Sequence, residues 1–287
     1  MPDQAATASP KFPSFLLFSG CGVTARMMTL PISNSIPRAA LVTGGAHRLG
    51  RAIALALAGA GFDIAVHYHR SIDSAQDVVA QIRTAGRRAA VLQADLAIEV
   101  EVERLLPAAQ AVVGPVGVLV NNASMFERDE WDNTTRASWD AHMEPNLRAP
   151  FVLMQHFARE LPDDAEGVVI NMLDQRVWSI TPHFISYTLS KVGLWGLTQA
   201  MALALAPRVR VNGIGPGPAL PNTRQTPAQF EKQCASVPLG HGTSPEEIAR
   251  AALAILSLPA MTGQMLALDG GQHLQWKSGR LPAPDEE

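Results

Sequence analysis

Ala39-Ala-Leu-Val-Thr-Gly-Gly-Ala-His-Arg-Leu-Gly50 is a short apolar run, a glycine-rich turn, and the opening of an Ala/Leu-rich stretch reaching Ala60. A buried strand, a tight turn and a helix N-terminus in that order make an anion site. Free N–H groups and the positive end of the helix dipole face whatever binds there. Leu49 stands where the stricter G-x-G-x-x-G fingerprint would have glycine. The turn is therefore weak evidence alone, strengthened by its place after the first strand.

Working outward, the same alternation continues to the end of the chain. Further strands are expected at 62–67, 89–93, 116–120, 167–171, 209–212 and 264–268. Helices are expected at 51–60, 74–85, 99–113, 186–205 and 245–258. Helical material also covers 139–161, with Pro145 and Pro150 as break points. Near-continuous apolar strands alternating with helices imply an α/β fold, a parallel sheet covered on both faces. The expected layout is one Rossmann-type doubly wound domain over residues 37–276, with a tail over 277–287.

The first 36 residues, rich in Ser, Pro, Thr and Ala, lack helical or strand periodicity. They read as a disordered extension, or as the result of a start upstream of Met27 or Met28. A secretory signal fits poorly, because only Lys11 precedes the apolar patch and Pro13 interrupts it. The chain has 287 residues, 47% hydrophobic and 17% charged, with net charge −3. That balance points to neither nucleic acid nor an anionic membrane as a partner. Two distant cysteines, Cys21 and Cys234, lack metal-ligand spacing and fit a reducing, cytoplasmic setting. No metal site is expected.

The dinucleotide reading draws in further residues. Gly44, Arg48 and Leu49 belong to the turn. The second strand ends in His67-Tyr-His69-Arg70-Ser71, with no carboxylate to hold a ribose hydroxyl, and a cation beside a hydroxyl suits a 2′-phosphate. NADPH is therefore expected over NADH. Asp95, beside Leu96, could accept from an adenine amino group or cap the next helix. Asn122 and Ala123 end the fourth strand, where they could border a ribose or simply form a turn.

Asp174, Tyr187 and Lys191 carry the chemistry. Tyr and Lys four residues apart share one helix face. An ammonium beside a phenol should lower the phenol pKa toward neutrality. Asp174 at the end of the preceding strand adds a second proton-handling group, or is a mere loop cap. An ionised carboxylate opposes an alkoxide: at about 4 Å and an effective dielectric near 20, like charges cost about 4 kcal/mol. That is roughly three orders of magnitude in rate. Reduction of a C=N bond needs a proton at nitrogen instead, so Asp174 favours imine-type substrates over ketones.

In this order, the motifs resemble the short-chain dehydrogenase/reductase family over residues 38–275. They are Thr43-Gly44 to Gly50, Asp95, Asn121-Asn-Ala123, Asn146, Tyr187 to Lys191, Pro216-Gly217 and Leu268-Asp-Gly-Gly271. The resemblance implies seven strands, a nicotinamide cofactor and a homotetramer. It makes Tyr187 the acid/base, places Lys191 on the nicotinamide ribose and Asn146 in a proton relay, and adds Pro216 and Gly217 to the cofactor site. Within the family, three features resemble the pteridine reductases: Asp174, His67 to Ser71, and Asn122-Ala-Ser-Met-Phe126. That implies a pterin-like small-molecule substrate held by Ser124, Phe126, Asp174 and Tyr187, with Phe126 as stacking platform and Arg48 touching pterin and cofactor. Phe126 could equally be a hydrophobic loop anchor, and Trp178 and His183 either line the same crevice or pack the core. Pro218-Ala-Leu-Pro221 departs from the pattern. A ketone or 3-oxoacyl reductase, and a nucleotide sensor without turnover, are the competing readings.

Overall fold

The apolar runs become strands buried on both faces. The computed structural model describes residues 31–222 and 224–274. Its strands are β1 (Ala39–Val42), β2 (Asp63–Tyr68), β3 (Ala89–Gln93), β4 (Val118–Asn121), β5 (Gly167–Met172), β6 (Val209–Pro216) and β7 (Met265–Leu268). They form one sheet in the order β3-β2-β1-β4-β5-β6-β7, and every neighbouring pair is parallel. The fold is the expected Rossmann-type doubly wound sheet.

Side chains along each strand alternate between two cores. Ala40, Val42, Val118, Val120, Val168 and Ile170 face α1 (Arg48–Gly59), α2 (Ile72–Thr84) and, with them, α8 (Pro245–Ser257). Ala39, Leu41, Leu119, Val169 and Val211 face α3 (Glu99–Val113), α5 (Ala149–Glu160) and α6 (Ile185–Ala204). After β3 the chain crosses back to pair β4 with β1, which opens a crevice beyond the carboxyl ends of those strands. Gly44, Asn122 and Asp174 all follow strands at that end.

Three expectations on element boundaries change. The helix over 139–161 is not broken at Pro145. α4 (Arg136–Met143) widens into a π-helical turn, Glu144–Arg148, and continues as α5. The wider turn spans Pro145, and Pro150 follows it as the second residue of α5; neither proline has an N–H to give to the helix ladder. An additional helix, α7 (Pro227–Ser236), follows the loop after β6. Thr226 and Gln229 form a reciprocal capping box at its start. It buries no residue, so it shows no apolar period in the sequence.

The domain also begins earlier than residue 37. Ile36 is 2% exposed within the core, Glu166 N–H donates to the Ser35 carbonyl, and Arg38 donates to the Ile32 carbonyl. The remainder of the expected extension, residues 1–30, and the tail over 277–287 lie outside the described residues. No helix among the described residues is long and apolar enough to cross a membrane.

Candidate active site

The glycine turn is held from beneath by side chains of three strands. Thr43 Oγ1 donates to the Val120 carbonyl and accepts the N–H groups of Asn122 and Ala123, at 2.9 and 3.0 Å. Asn122 Nδ2 donates to the carbonyls of Thr43 (2.9 Å) and Gly44 (3.2 Å). Gly44 needs its left-handed φ of 61°. At Gly50 a Cβ would stand 2.3 Å from Gly44 O and 2.5 Å from Asn122 Nδ2. Gly50→Ala should therefore cost about 1–3 kcal/mol through overpacking. Urea unfolding measures it, and an unchanged midpoint would show that the turn yields easily.

His67 was expected to contact the cofactor, but it lies beneath the turn. Nδ1 accepts the Gly44 N–H at 3.0 Å, so Nε2 carries the proton and donates to Ala94 O at 3.1 Å. Burial lowers its pKa to about 4, which keeps the ring neutral. Both nitrogens are used by the fold, and the residue positions Gly44 instead of facing the crevice.

Arg48 is likewise committed. It has a left-handed φ of 50°, and its guanidinium donates to the carbonyls of Pro221 (2.8 Å) and Leu220 (3.1 Å). It lines the crevice with Leu49, but its charge latches the turn to the loop after β6. The start of α1 has no side-chain cap and no acidic residue in its first turn, which leaves its N–H groups available to an anion.

At the end of β2, Arg70 is exposed, and its guanidinium makes no hydrogen bond or ion pair among the described residues. His69 Nε2 lies 3.5 Å from Asp95 Oδ2, and Ser71 precedes α2 without a capping bond from its side chain. Asp63, at the other end of β2, is paired with Arg88. Asp95 does not cap α3, whose N-cap is Ile98; its Oδ1 accepts the Ala97 N–H at 2.9 Å, in a turn before the helix. Leu96, expected at the cofactor, is buried in the core on the α3 side. Pro216 and Gly217 line the crevice, and a Cβ on Gly217 would meet the Asp269 backbone at 2.6 Å.

The proton-handling groups lie where β5 ends and α6 begins. Tyr187 donates its hydroxyl to Asp174 Oδ2 at 2.8 Å. Asp174 Oδ1 accepts the Arg176 N–H at 2.8 Å, and the Arg176 guanidinium lies 3.7 Å from Oδ2. Lys191 Nζ donates to Met172 O at 2.8 Å and lies 5.8 Å from the Tyr187 ring centroid. Tyr187 and Lys191 are 6% and 2% exposed.

The expected drop in the Tyr187 pKa is overturned. Burial, then the Asp174 charge, pushes the phenol well above its ordinary value, and Arg176 opposes only in part. Lys191 itself is lowered to about 8, by burial against the attraction of Asp174. The spacing of the pair predicted their shared face, but not that a carboxylate would receive the phenol hydrogen. At neutral pH the arrangement holds a protonated phenol.

Asn146, expected in a relay, is buried in the π-helical turn. Its Nδ2 donates to Met125 O and Ser190 Oγ, and its Oδ1 accepts the Met125 N–H. Its side chain clamps the loop after β4, and Ser190 Oγ, which accepts from it, donates in turn to the Tyr187 carbonyl at 2.6 Å.

Behind Tyr187 lies a network that sequence reading missed. Asp129 accepts the Ser186 N–H and hydroxyl, and its carbonyl accepts the N–H groups of Phe184 and Ile185. His142 contacts Ser186 Oγ through Nδ1 and accepts the Glu127 N–H at Nε2. Asp129 thus holds the first turn of α6. The three segments meet only in the fold, and no spacing signals them.

A cavity of about 330 Å³ opens above Asp174, Tyr187 and Lys191. Phe126 and Ser124 border it. Phe126 stacks on Phe184, centroids 4.7 Å apart and 7° between planes, and meets Tyr187 edge-on. Arg224 lies 5.4 Å from its centroid and pairs with Glu127 at 2.6 Å. Trp178 and His183 do not line this cavity. Trp178 packs on Trp195 and His273, and His183 pairs with Glu130. Gln175, Arg176, Phe184 and Thr181 line it instead.

The short chain dehydrogenase family matches residues 38–232. Two solved structures described as FolM alternative dihydrofolate reductase 1, both with NADP, are similar. The Brucella canis protein is 44% identical with a TM-score of 0.80, covering 84% of this chain and 96% of its own. The Brucella suis protein is 45% identical with a TM-score of 0.80, covering 86% and 97%. A 3beta-hydroxysteroid dehydrogenase 1 from Eggerthella lenta is 33% identical over 246 residues, 82% of this chain and 93% of that protein.

Proposed function

This chain belongs to the short-chain dehydrogenase family, and within it we propose an NADPH-dependent reductase acting on a C=N bond of a pterin or dihydropterin. The hydroxyl of Tyr187 resting on Asp174 carries the reading. A carboxylate at this point disfavours an alkoxide and suits a ring nitrogen that must gain a proton. The 44–45% identity to the two Brucella reductases supports the same substrate class.

The residues fit the cofactor. The uncapped start of α1 suits a pyrophosphate, and Arg70 with Ser71, beyond a strand that ends without a carboxylate, suits a 2′-phosphate. NADPH, when bound, supplies the hydride. Tyr187 enters the reaction protonated, and its proton passes across Asp174 to the ring nitrogen as the adjacent carbon is reduced. Lys191 stabilises the phenolate left behind. Arg176 balances the charge of Asp174, and Phe126 offers the stacking surface. Asn146 and His67 act by positioning, through Met125 and Gly44. A homotetramer belongs to the same proposal. Leu189 and Leu203, 44% and 83% exposed on α6, would be covered by it, and light scattering on the purified protein measures it.

The test is NADPH oxidation with dihydrobiopterin, dihydromonapterin and dihydrofolate beside a small diketone. Turnover of a dihydropterin, lowered about a hundredfold in Asp174→Ser, is expected. Diketone reduction that improves in Asp174→Ser, with no pterin turnover, would sink the reading. It would favour a carbonyl reductase, the activity class of the steroid dehydrogenase relative.

A further inference from the structure

Gln175 follows Asp174 directly and lines the cavity. Its backbone is fixed, because its carbonyl accepts the N–H groups of Trp178 and Ser179 at 3.0 and 3.2 Å. The residue is 5% exposed, yet its Oε1 is buried with no hydrogen-bond partner. Its side-chain amide makes no hydrogen bond among the described residues. Interiors pair more than nine in ten of their polar groups, so a buried, unpaired acceptor on a residue of the pocket wall demands an explanation. The fold spends the neighbouring amides of Asn122 and Asn146 on backbone carbonyls, but it leaves Gln175 unspent. Leucine or methionine would fill the same space without the unmet acceptor.

A primary amide offers one donor and one acceptor side by side, and its ideal partner is a ring edge with a C=O next to an N–H. We propose that Gln175 is a specificity-determining residue that reads the lactam edge of the substrate ring, while Asp174 beside it serves the neighbouring ring nitrogen that gains the proton. The inference rests on the pterin reading above and deepens it. It divides the labour between adjacent residues: Asp174 serves the proton, and Gln175 selects rings that carry an adjacent N–H and C=O. A ketone without such an edge leaves the amide unmet, which lowers its relative affinity.

The test is calorimetric binding of dihydrobiopterin to the NADP-saturated protein, comparing the unaltered chain with Gln175→Met. Met keeps the length and apolar packing and removes both hydrogen-bonding groups. The affinity should fall between about tenfold and a hundredfold. For a dihydropterin methylated at the lactam nitrogen, the two proteins should differ by less than about threefold, because the edge is already blocked. The variant's Tm should match or exceed that of the unaltered protein, since an unpaired buried acceptor is removed; a merely structural Gln175 would lower it. Equal affinities for the unmethylated ring in the two proteins overturn the proposal, and so does a failure of the unaltered protein to bind it. Binding that depends on Gln175 without turnover of any dihydropterin supports the proposal and sinks the parent reading.

Discussion

Tyr187→Phe should lower kcat for a dihydropterin by about three orders of magnitude or more, with KM within about threefold. The hydroxyl is the proton source, and a well-placed acid is worth about 10²–10⁴ in rate. No neighbour replaces it. Asp174 would keep the Arg176 N–H and guanidinium, neither of which surrenders a proton readily. The fold should survive. Losing a hydrogen bond to a charged acceptor costs about 2 kcal/mol, a fall of about 6 °C in Tm for a domain of this size. Steady-state NADPH oxidation and a thermal melt measure both effects. A folded variant retaining more than a tenth of the activity would move the proton source elsewhere. Because Tyr187 is pushed up by burial and Asp174, its own ionisation should not limit reduction anywhere near neutral pH.

Much of this architecture is legible from sequence because it depends on spacing. A strand buried on both faces leaves a continuous apolar run, and Ala39 to Val42 has one. Tyr187 and Lys191 share a face because the helical repeat requires it. What spacing cannot carry is which partner each polar group chooses. Lys191 gives its ammonium hydrogen to Met172 O, and Tyr187 gives its hydroxyl hydrogen to Asp174. The phenol pKa therefore moves opposite to the expectation. His67 and Arg48 illustrate the same limit. Both lie beside the glycine turn as the motif implies, but one is drawn under it by burial and the other is held by the carbonyls of Leu220 and Pro221. Asp129, Ser186 and His142 come from three segments, and their meeting is a property of packing alone. α7 escaped notice because it buries nothing, although Thr226-Pro-Ala-Gln229 contains its cap.

Lys191→Met should separate activity from stability. Without the ammonium, the phenolate that forms as Tyr187 loses its proton has no cation on that side, and kcat should fall about a thousandfold. Stability should move the other way or hold. Burial lowers the Lys191 pKa from 10.5 to about 8, so keeping the folded protein charged below pH 8 costs about 3 kcal/mol. Methionine removes that cost. It also removes the donor to Met172 O, and an unmet buried carbonyl costs about 1–3 kcal/mol. The variant should therefore be no less stable at pH 7 than the unaltered protein. The pH dependence gives the sharper test. Between pH 8 and 10.5 the unfolded chain still binds the proton that the folded chain has released. The unaltered protein therefore gains stability as pH rises through that window, and below it carries the full penalty. Methionine does not titrate, so any advantage of the variant should shrink between pH 7 and pH 9.5. Urea unfolding at the two pH values measures this difference directly. A difference that stays constant would mean that Lys191 is not held near pKa 8. The alkaline fall in kcat expected above pH 8, where the ammonium is lost, would then need another group as its cause.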